Sequence, residues 1–153
     1  MTTDLTAFAR EIFDAQPFSR LLGAELTAVG PGSAEIRVRN RPELRQQHGF
    51  VHGGVLGYLA DNALTFAGGL ALGGDALTAE YKINYVRPAV GETIVARAEA
   101  VVTTRRQAVC QCSVLALRDG AERLVAVAQG TIVAAGARQP DLPPTPPAPD
   151  GTP

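Results

Sequence analysis

The chain has 153 residues, 46% of them hydrophobic and 19% charged, with a formal net charge of -1 and a pI near 6.1. That profile fits one globular domain with a sizeable core, and it gives no support to a nucleic-acid partner, because phosphate-tracking proteins carry a clear basic excess. The first residues lack the apolar run of a signal peptide, no stretch reads as a membrane span, and the two cysteines are too few for a disulfide framework, so a reducing cytoplasm is expected.

In chain order, Leu5, Phe8, Ala9, Ile12 and Phe13 recur at helical spacing and predict an amphipathic helix over about 4–15 that stops near Pro17. Ala24 to Val29 and Ala34 to Arg39 read as short strands around a Gly-Pro-Gly turn, and Asn40 to Phe50 as a polar loop. From Gly53 to Leu70, apolar residues at steps of three and four mark a long helix, apolar enough around its circumference to be buried on most sides. Four strand-like runs follow: Leu77 to Val86, Thr93 to Thr103, Gln107 to Leu117 and Arg123 to Val133. In the second of these, Ile94, Ala96, Ala98, Ala100 and Val102 are assigned to one face. Cys110 and Cys112, two apart on a strand, share a face and read as buried thiols. Consecutive strands with short turns imply an antiparallel sheet with the long helix on one face, an α+β domain over 1–136. Residues 137–153 are proline-rich and read as a disordered tail.

The chemistry concentrates between Gln46 and Gly74, where the only formal charge is Asp61. A lone carboxylate in so apolar a stretch is costly unless it is hydrogen-bonded or reactive. Upstream, Gly53 and Gly54 open the long helix, so their backbone N–H groups and the positive end of the helix dipole offer a place for a carbonyl oxygen that gains negative charge. The alternative for Asp61 is a structural pairing, with Arg45 or Arg87 as partners. His52, just before the glycines, reads first as a hydrogen-bonded structural residue. No metal is expected, since His48, His52 and Asp61 lack metal-binding spacing and a cysteine partner. GxSxG, GxGxxG and P-loop motifs do not occur.

The pattern Gln46-x5-His52-Gly53-Gly54-x6-Asp61, with Thr78-Ala-Glu-Tyr-Lys-Ile-Asn-Tyr-Val-Arg-Pro88 and Gly91-Glu-Thr after it, resembles the hotdog-fold acyl-CoA thioesterases of the phenylacetate-pathway (PaaI-like) type. The resemblance runs from about Phe18 to Val133. It implies a long helix wrapped by an antiparallel sheet of five or six strands, and a homodimer or homotetramer with active sites at the dimer interface. It also implies an acyl-CoA substrate, with coenzyme A entering as part of that substrate and no separate cofactor. In such enzymes Asp61 would be nucleophile or general base, and the Gly53 N–H would polarise the thioester carbonyl. His52 would hold the loop or that carbonyl, Gln46 would add a side-chain contact, and Thr78 would help to place water. Gln46 stands where Asn often accompanies a helix Asp, and its amide could donate or accept. Gly54, Phe50 and Tyr58, with Leu59, Phe66 and Tyr81, are candidates to line the substrate, and Arg87, Arg105 and Arg106 to meet the phosphates of coenzyme A. Two rival functions share the fold: a hydratase or dehydratase that pairs His48 with Asp61, and a non-catalytic acyl-CoA binding protein.

Overall fold

The computed structural model describes residues 2–136; the proline-rich tail expected at 137–153 lies outside them. Two helices come first, α1 (Thr2–Ala15) and α2 (Pro17–Leu22), followed by strands β1 (Ala24–Gly30) and β2 (Ser33–Arg39). A 3-10 turn at Pro42–Leu44 leads to the long helix α3 (Gly53–Leu72), and the chain ends with β3 (Ala76–Tyr85), β4 (Thr93–Thr103), β5 (Gln107–Arg118) and β6 (Ala121–Ala134). Pro17, expected only to stop the first helix, is instead the first residue of α2, where its fixed φ fits and its missing N–H costs nothing.

The six strands form one antiparallel sheet in the order β1-β2-β4-β5-β6-β3. It wraps α3, which touches every strand. By length and composition α3 could cross a bilayer; the sheet encloses it instead. Leu59, Ala60, Ala63, Leu64 and Ala67 are completely buried against Ile36, Ile94, Val114 and Ile132. Gly68 is required there, because a Cβ on it would lie 2.5 Å from Ile132. Helix backbone therefore rests directly on β6, and any side chain at 68 would push the two apart.

The β5–β6 hairpin closes through Asp119 at φ 50° and Gly120 at φ 76°. Two consecutive left-handed residues form the tight turn whose twist matches the strands it joins. In β4 the expected alternation fails at its end: the register shifts between Ala100 and Val102, and Val102 is 56% exposed rather than inward-facing. An extra residue in one strand moves everything beyond it to the other face. Cys110 and Cys112 are free and buried, as their shared face implied.

The position of β3 matters most for function. It pairs only with β6 and forms one edge of the sheet, with Leu77 62% and Tyr85 54% exposed. It runs antiparallel to α3: the Tyr85 hydroxyl donates to the Gly53 carbonyl oxygen at 3.1 Å near the start of the helix, and Thr78 meets the helix at Asp61.

Candidate active site

The loop before α3 is held by backbone hydrogen bonds, within itself and to the segment after β3. Gln46 N–H donates to the Phe50 carbonyl (2.8 Å), Val51 N–H to the Ala89 carbonyl (3.1 Å) and His52 N–H to the Leu44 carbonyl (2.8 Å). His52 is the N-cap of α3, and its Nδ1 accepts from Gly54 N–H at 2.8 Å. A ring nitrogen that accepts is unprotonated, so this geometry calls for the tautomer with its proton on Nε2. Val55 N–H donates to the His52 carbonyl oxygen. In the first turn of α3, therefore, Gly54 and Val55 are occupied, and the N–H of Gly53 has no intrahelical acceptor. Gly53 is the donor left at the dipole end. His52 acts as the cap that consumes its neighbour, the structural role its position suggested.

Gln46 is oriented by the same loop. Its side-chain Oε1 accepts from the His48 N–H, so the oxygen is turned into the bend and the NH2 is the end left to donate. Of the two uses open from the sequence, this orientation suits an oxyanion donor.

Asp61 is half-buried on α3 and forms no ion pair with Arg45 or Arg87. Thr78 Oγ1 on β3 donates to Asp61 Oδ1 at 2.7 Å. Thr65, one helical turn beyond Asp61, has its Oγ1 2.7 Å from Thr78 Oγ1 and 2.7 Å from the Asp61 carbonyl oxygen. Two hydroxyl protons serve three contacts. With the Thr78 proton on the carboxylate, the Thr65 proton is shared between Thr78 Oγ1 and the Asp61 carbonyl, a three-centre bond. The result is a donor chain from Thr65 through Thr78 to Asp61 that fixes one carboxylate oxygen and leaves Oδ2 for another partner. Thr78 thus positions the carboxylate directly. Thr65 was missed from the sequence, although its spacing of four from Asp61 places both on one helix face. Nearby, burial first and then the Asp61 carboxylate and Tyr85 hold the Tyr81 phenol above its ordinary pKa, so it remains protonated.

Other expected residues are placed elsewhere. Tyr58 stacks edge-on against Phe18, with ring centroids 5.3 Å apart. Its hydroxyl lies 2.5 Å from Ser19 Oγ and accepts from Asn62 Nδ2 at 3.2 Å. Ser19 in turn donates to Gln16 Oε1 at 2.6 Å. This ring of four side chains fastens α2 and the end of α1 to α3. Leu59 has no exposed surface and belongs to the core. Arg105 and Arg106 sit on the β4–β5 turn near Ala134, beside the start of β3, while Arg87 follows the end of β3 and donates to the Leu124 carbonyl at 2.8 Å. Within one chain the three arginines do not converge. Instead Arg87 lines a hollow of about 620 Å³ with Phe50, Arg118 and Arg123. The latter two flank the β5–β6 turn, and only the hairpin pairing, invisible as a motif, brings them beside Arg87. Among the described residues no three His, Cys, Asp or Glu side chains are grouped to hold a metal ion.

Comparison with known proteins places these features in a family context. Residues 48–122 match the family model described as the thioesterase superfamily. A Mycobacterium tuberculosis protein whose name gives it provisionally as an esterase is 30% identical over 118 residues, covering 74% of this chain and 82% of its own. Among solved structures, a thioesterase family protein from Silicibacter pomeroyi superposes with a TM-score of 0.80 at 34% identity, over 84% of this chain and 96% of that one. A variant of the phenylacetic acid degradation protein PaaI from Thermus thermophilus gives a TM-score of 0.69 at 31% identity, over 78% and 100%.

Proposed function

Because the chain belongs to the thioesterase superfamily and is a thioester hydrolase, we propose that it cleaves an acyl-CoA at a site that two copies of the chain build together. One observation carries the reading. Gly53 and Asp61 are eight residues apart on one helix, an axial separation of about 12 Å at 1.5 Å per residue, too far for a single thioester carbon to meet both within one chain. Exposed β3 supplies the remedy. A second copy adding its β3 edge to edge, about a two-fold axis between Tyr81 and Lys82, sets Thr78 of one chain opposite Tyr85 of the other. Tyr85 is bonded to Gly53 and Thr78 to Asp61. The pairing therefore carries the donor of one chain to the carboxylate of the other, twice per dimer. It also brings the Arg87, Arg118 and Arg123 hollow of one chain to the end of the sheet that holds Arg105 and Arg106 of its partner, a basic mouth suited to the phosphates of coenzyme A.

In the mechanism that follows, the Gly53 N–H, helped by the Gln46 amide, takes the charge that develops on the thioester oxygen. Asp61, fixed through Oδ1 by Thr78, uses Oδ2 either on the thioester carbon or on a water that attacks it. The C–S bond breaks and the thiolate leaves. Where Asp61 attacks the carbon, water then cleaves the acyl-aspartyl anhydride and restores the carboxylate while solvent protonates the thiolate; where Asp61 activates water, the proton it took passes to the thiolate.

The test is release of free thiol from an acyl-CoA panel by homodimers and mixed dimers. Chains carrying Gly53→Pro, which removes the N–H, or Asp61→Asn are each inactive alone. Purified heterodimers of the two contain one intact site of two and recover about half of wild-type turnover. Heterodimers no more active than the parents would overturn the shared site, and enoyl product without free thiol from a 3-hydroxyacyl-CoA would replace hydrolysis with dehydration.

A further inference from the structure

A groove of about 240 Å³ runs between α1 and the second half of α3. Its walls are Leu5, Phe8 and Ile12 from α1 and Phe66 and Leu70 from α3, and it ends at Gly73, Gly74 and Asp75. Thr65 also lines it. Its hydroxyl is the first member of the donor chain to the Asp61 carboxylate, so one wall of the groove lies a single helical turn from Asp61. Its walls are held in place: Phe13 of α1 packs on Phe66 with centroids 5.7 Å apart, and Asn62 donates to Gln16 Oε1 at 3.0 Å.

Resting on the thioesterase reading above, we propose that this groove receives the acyl chain of the substrate, and that α1 is its specificity wall for a straight chain of about eight carbons. Two estimates bracket the length, and the volume, the tighter of the two, sets it. At about 30 Å³ for a group the size of water, the groove holds roughly eight methylenes. From Thr65 to Gly73 the helix advances about 12 Å, and an extended chain at ~1.2 Å per bond, a third of the reach of one extended residue, spans that in about ten bonds. The polar groups that line the groove are already engaged and leave little to orient a substituted ring, the Thr65 hydroxyl being taken up by Thr78 and the Asp61 carbonyl oxygen. The Gln16 amide is engaged by Asn62 and Ser19, and among the lining residues only Asp75 is charged. Each methylene buried there contributes roughly fourfold to binding.

The experiment compares kcat/KM for butyryl-, octanoyl-, decanoyl- and phenylacetyl-CoA in wild type, Ile12→Trp and Phe8→Ala, together with binding of S-octyl-CoA, a thioether that cannot be hydrolysed. Ile12 and Phe8 are 38% and 48% exposed, so both positions tolerate exchange. Ile12→Trp fills the groove: the octanoyl-to-butyryl ratio falls at least tenfold and S-octyl-CoA binding weakens in parallel, while unmodified coenzyme A binds as before. Phe8→Ala opens the groove and shifts preference toward decanoyl. An octanoyl-to-butyryl ratio and S-octyl-CoA affinity within twofold of wild type in both variants would refute the groove. Wild-type preference for phenylacetyl-CoA that Ile12→Trp leaves unmoved would refute the straight-chain occupant. Absence of turnover on every acyl-CoA would instead sink the thioesterase reading, and the S-octyl-CoA titration would still report on the groove.

Discussion

Gly53→Pro separates the N–H of the first helical residue from everything else that residue does. Proline at the first position of a helix is favoured, since its φ near −65° is helical and the N–H it lacks has no intrahelical acceptor. His52, which precedes it, has φ -60° and ψ 137°, the extended conformation that a following proline requires. A Cβ at 53 would meet the Tyr85 ring at 3.5 Å, an ordinary contact. The cap from Gly54 N–H to His52 Nδ1 and the bond from Val55 N–H to the His52 carbonyl do not involve the lost group. Stability should hold or rise slightly, since a Gly-to-Pro exchange at a compatible site gains about 0.4–1 kcal/mol through the unfolded chain. Activity should not hold. Removal of one oxyanion donor costs roughly 10²–10³ in kcat, about 2.7–4 kcal/mol of transition-state stabilisation. Gly53→Ala keeps the N–H and should stay within severalfold of wild type. Saturation kinetics with a thiol-reactive chromophore, alongside thermal melts, read both quantities. A Pro variant with wild-type kcat, or an Ala variant as impaired as the Pro variant, would refute the assignment of Gly53 as donor.

Thr78→Val removes the hydrogen bond that fixes Asp61 Oδ1 at 2.7 Å while retaining side-chain shape. Bonds to charged groups contribute about 1.5–3 kcal/mol, so kcat should drop about tenfold or more, with KM for a short acyl-CoA little changed; an unaltered kcat would remove Thr78 from the positioning of the base. Burial pushes the thiols of Cys110 and Cys112 up to about 11 and about 12. Neither should react with iodoacetamide in the native protein near pH 8, both should react once it is unfolded, and mass spectrometry counts the adducts; native labelling would contradict the packing of β5. Glu35 combines burial, which by itself raises its pKa, with hydrogen bonds from Arg97, Thr27 and Arg37 that outweigh it, so the net shift is downward from 4.5. A depressed carboxylate stabilises the fold above its unfolded pKa and loses that contribution as pH falls through the folded value. The difference in Tm between wild type and Glu35→Gln should therefore be constant from about pH 7 to 5 and shrink below 4.5; a difference independent of pH would show that these bonds are not linked to folding.

What could be read from the sequence was local periodicity and short-range spacing. The three-four pattern located α3 within two residues, because a helix buried on most sides leaves a nearly complete apolar record. Alternation located β4, β5 and β6 for the same reason. Order within the sheet leaves no such record. Runs that follow one another in the chain suggested neighbours, yet β3 crosses to the far edge and pairs with β6, while β2 and β4 become adjacent. Residues whose partners come from another element were equally hidden. Thr65 looks like an ordinary helix residue until β3 brings Thr78 to within 2.7 Å of it. Arg118 and Arg123 look like solvated charges until the hairpin sets them beside Arg87.

The same reasoning explains why the motif was legible while the site was not. His52, Gly53, Gly54 and Asp61 stand together in sequence because one helix and its N-cap carry them all, and that helix is also a spacer that sets Gly53 and Asp61 about 12 Å apart along its axis. Contiguity in the chain thus argues against contiguity in space. Under the proposed pairing the groups are reunited by a second helix running in the opposite direction, brought alongside by the edge strand β3. The exposure of Leu77 and Tyr85 then has a function. Charged or proline substitutions that would blunt such an edge and favour a lone chain would, by the same step, part Gly53 from the carboxylate it serves.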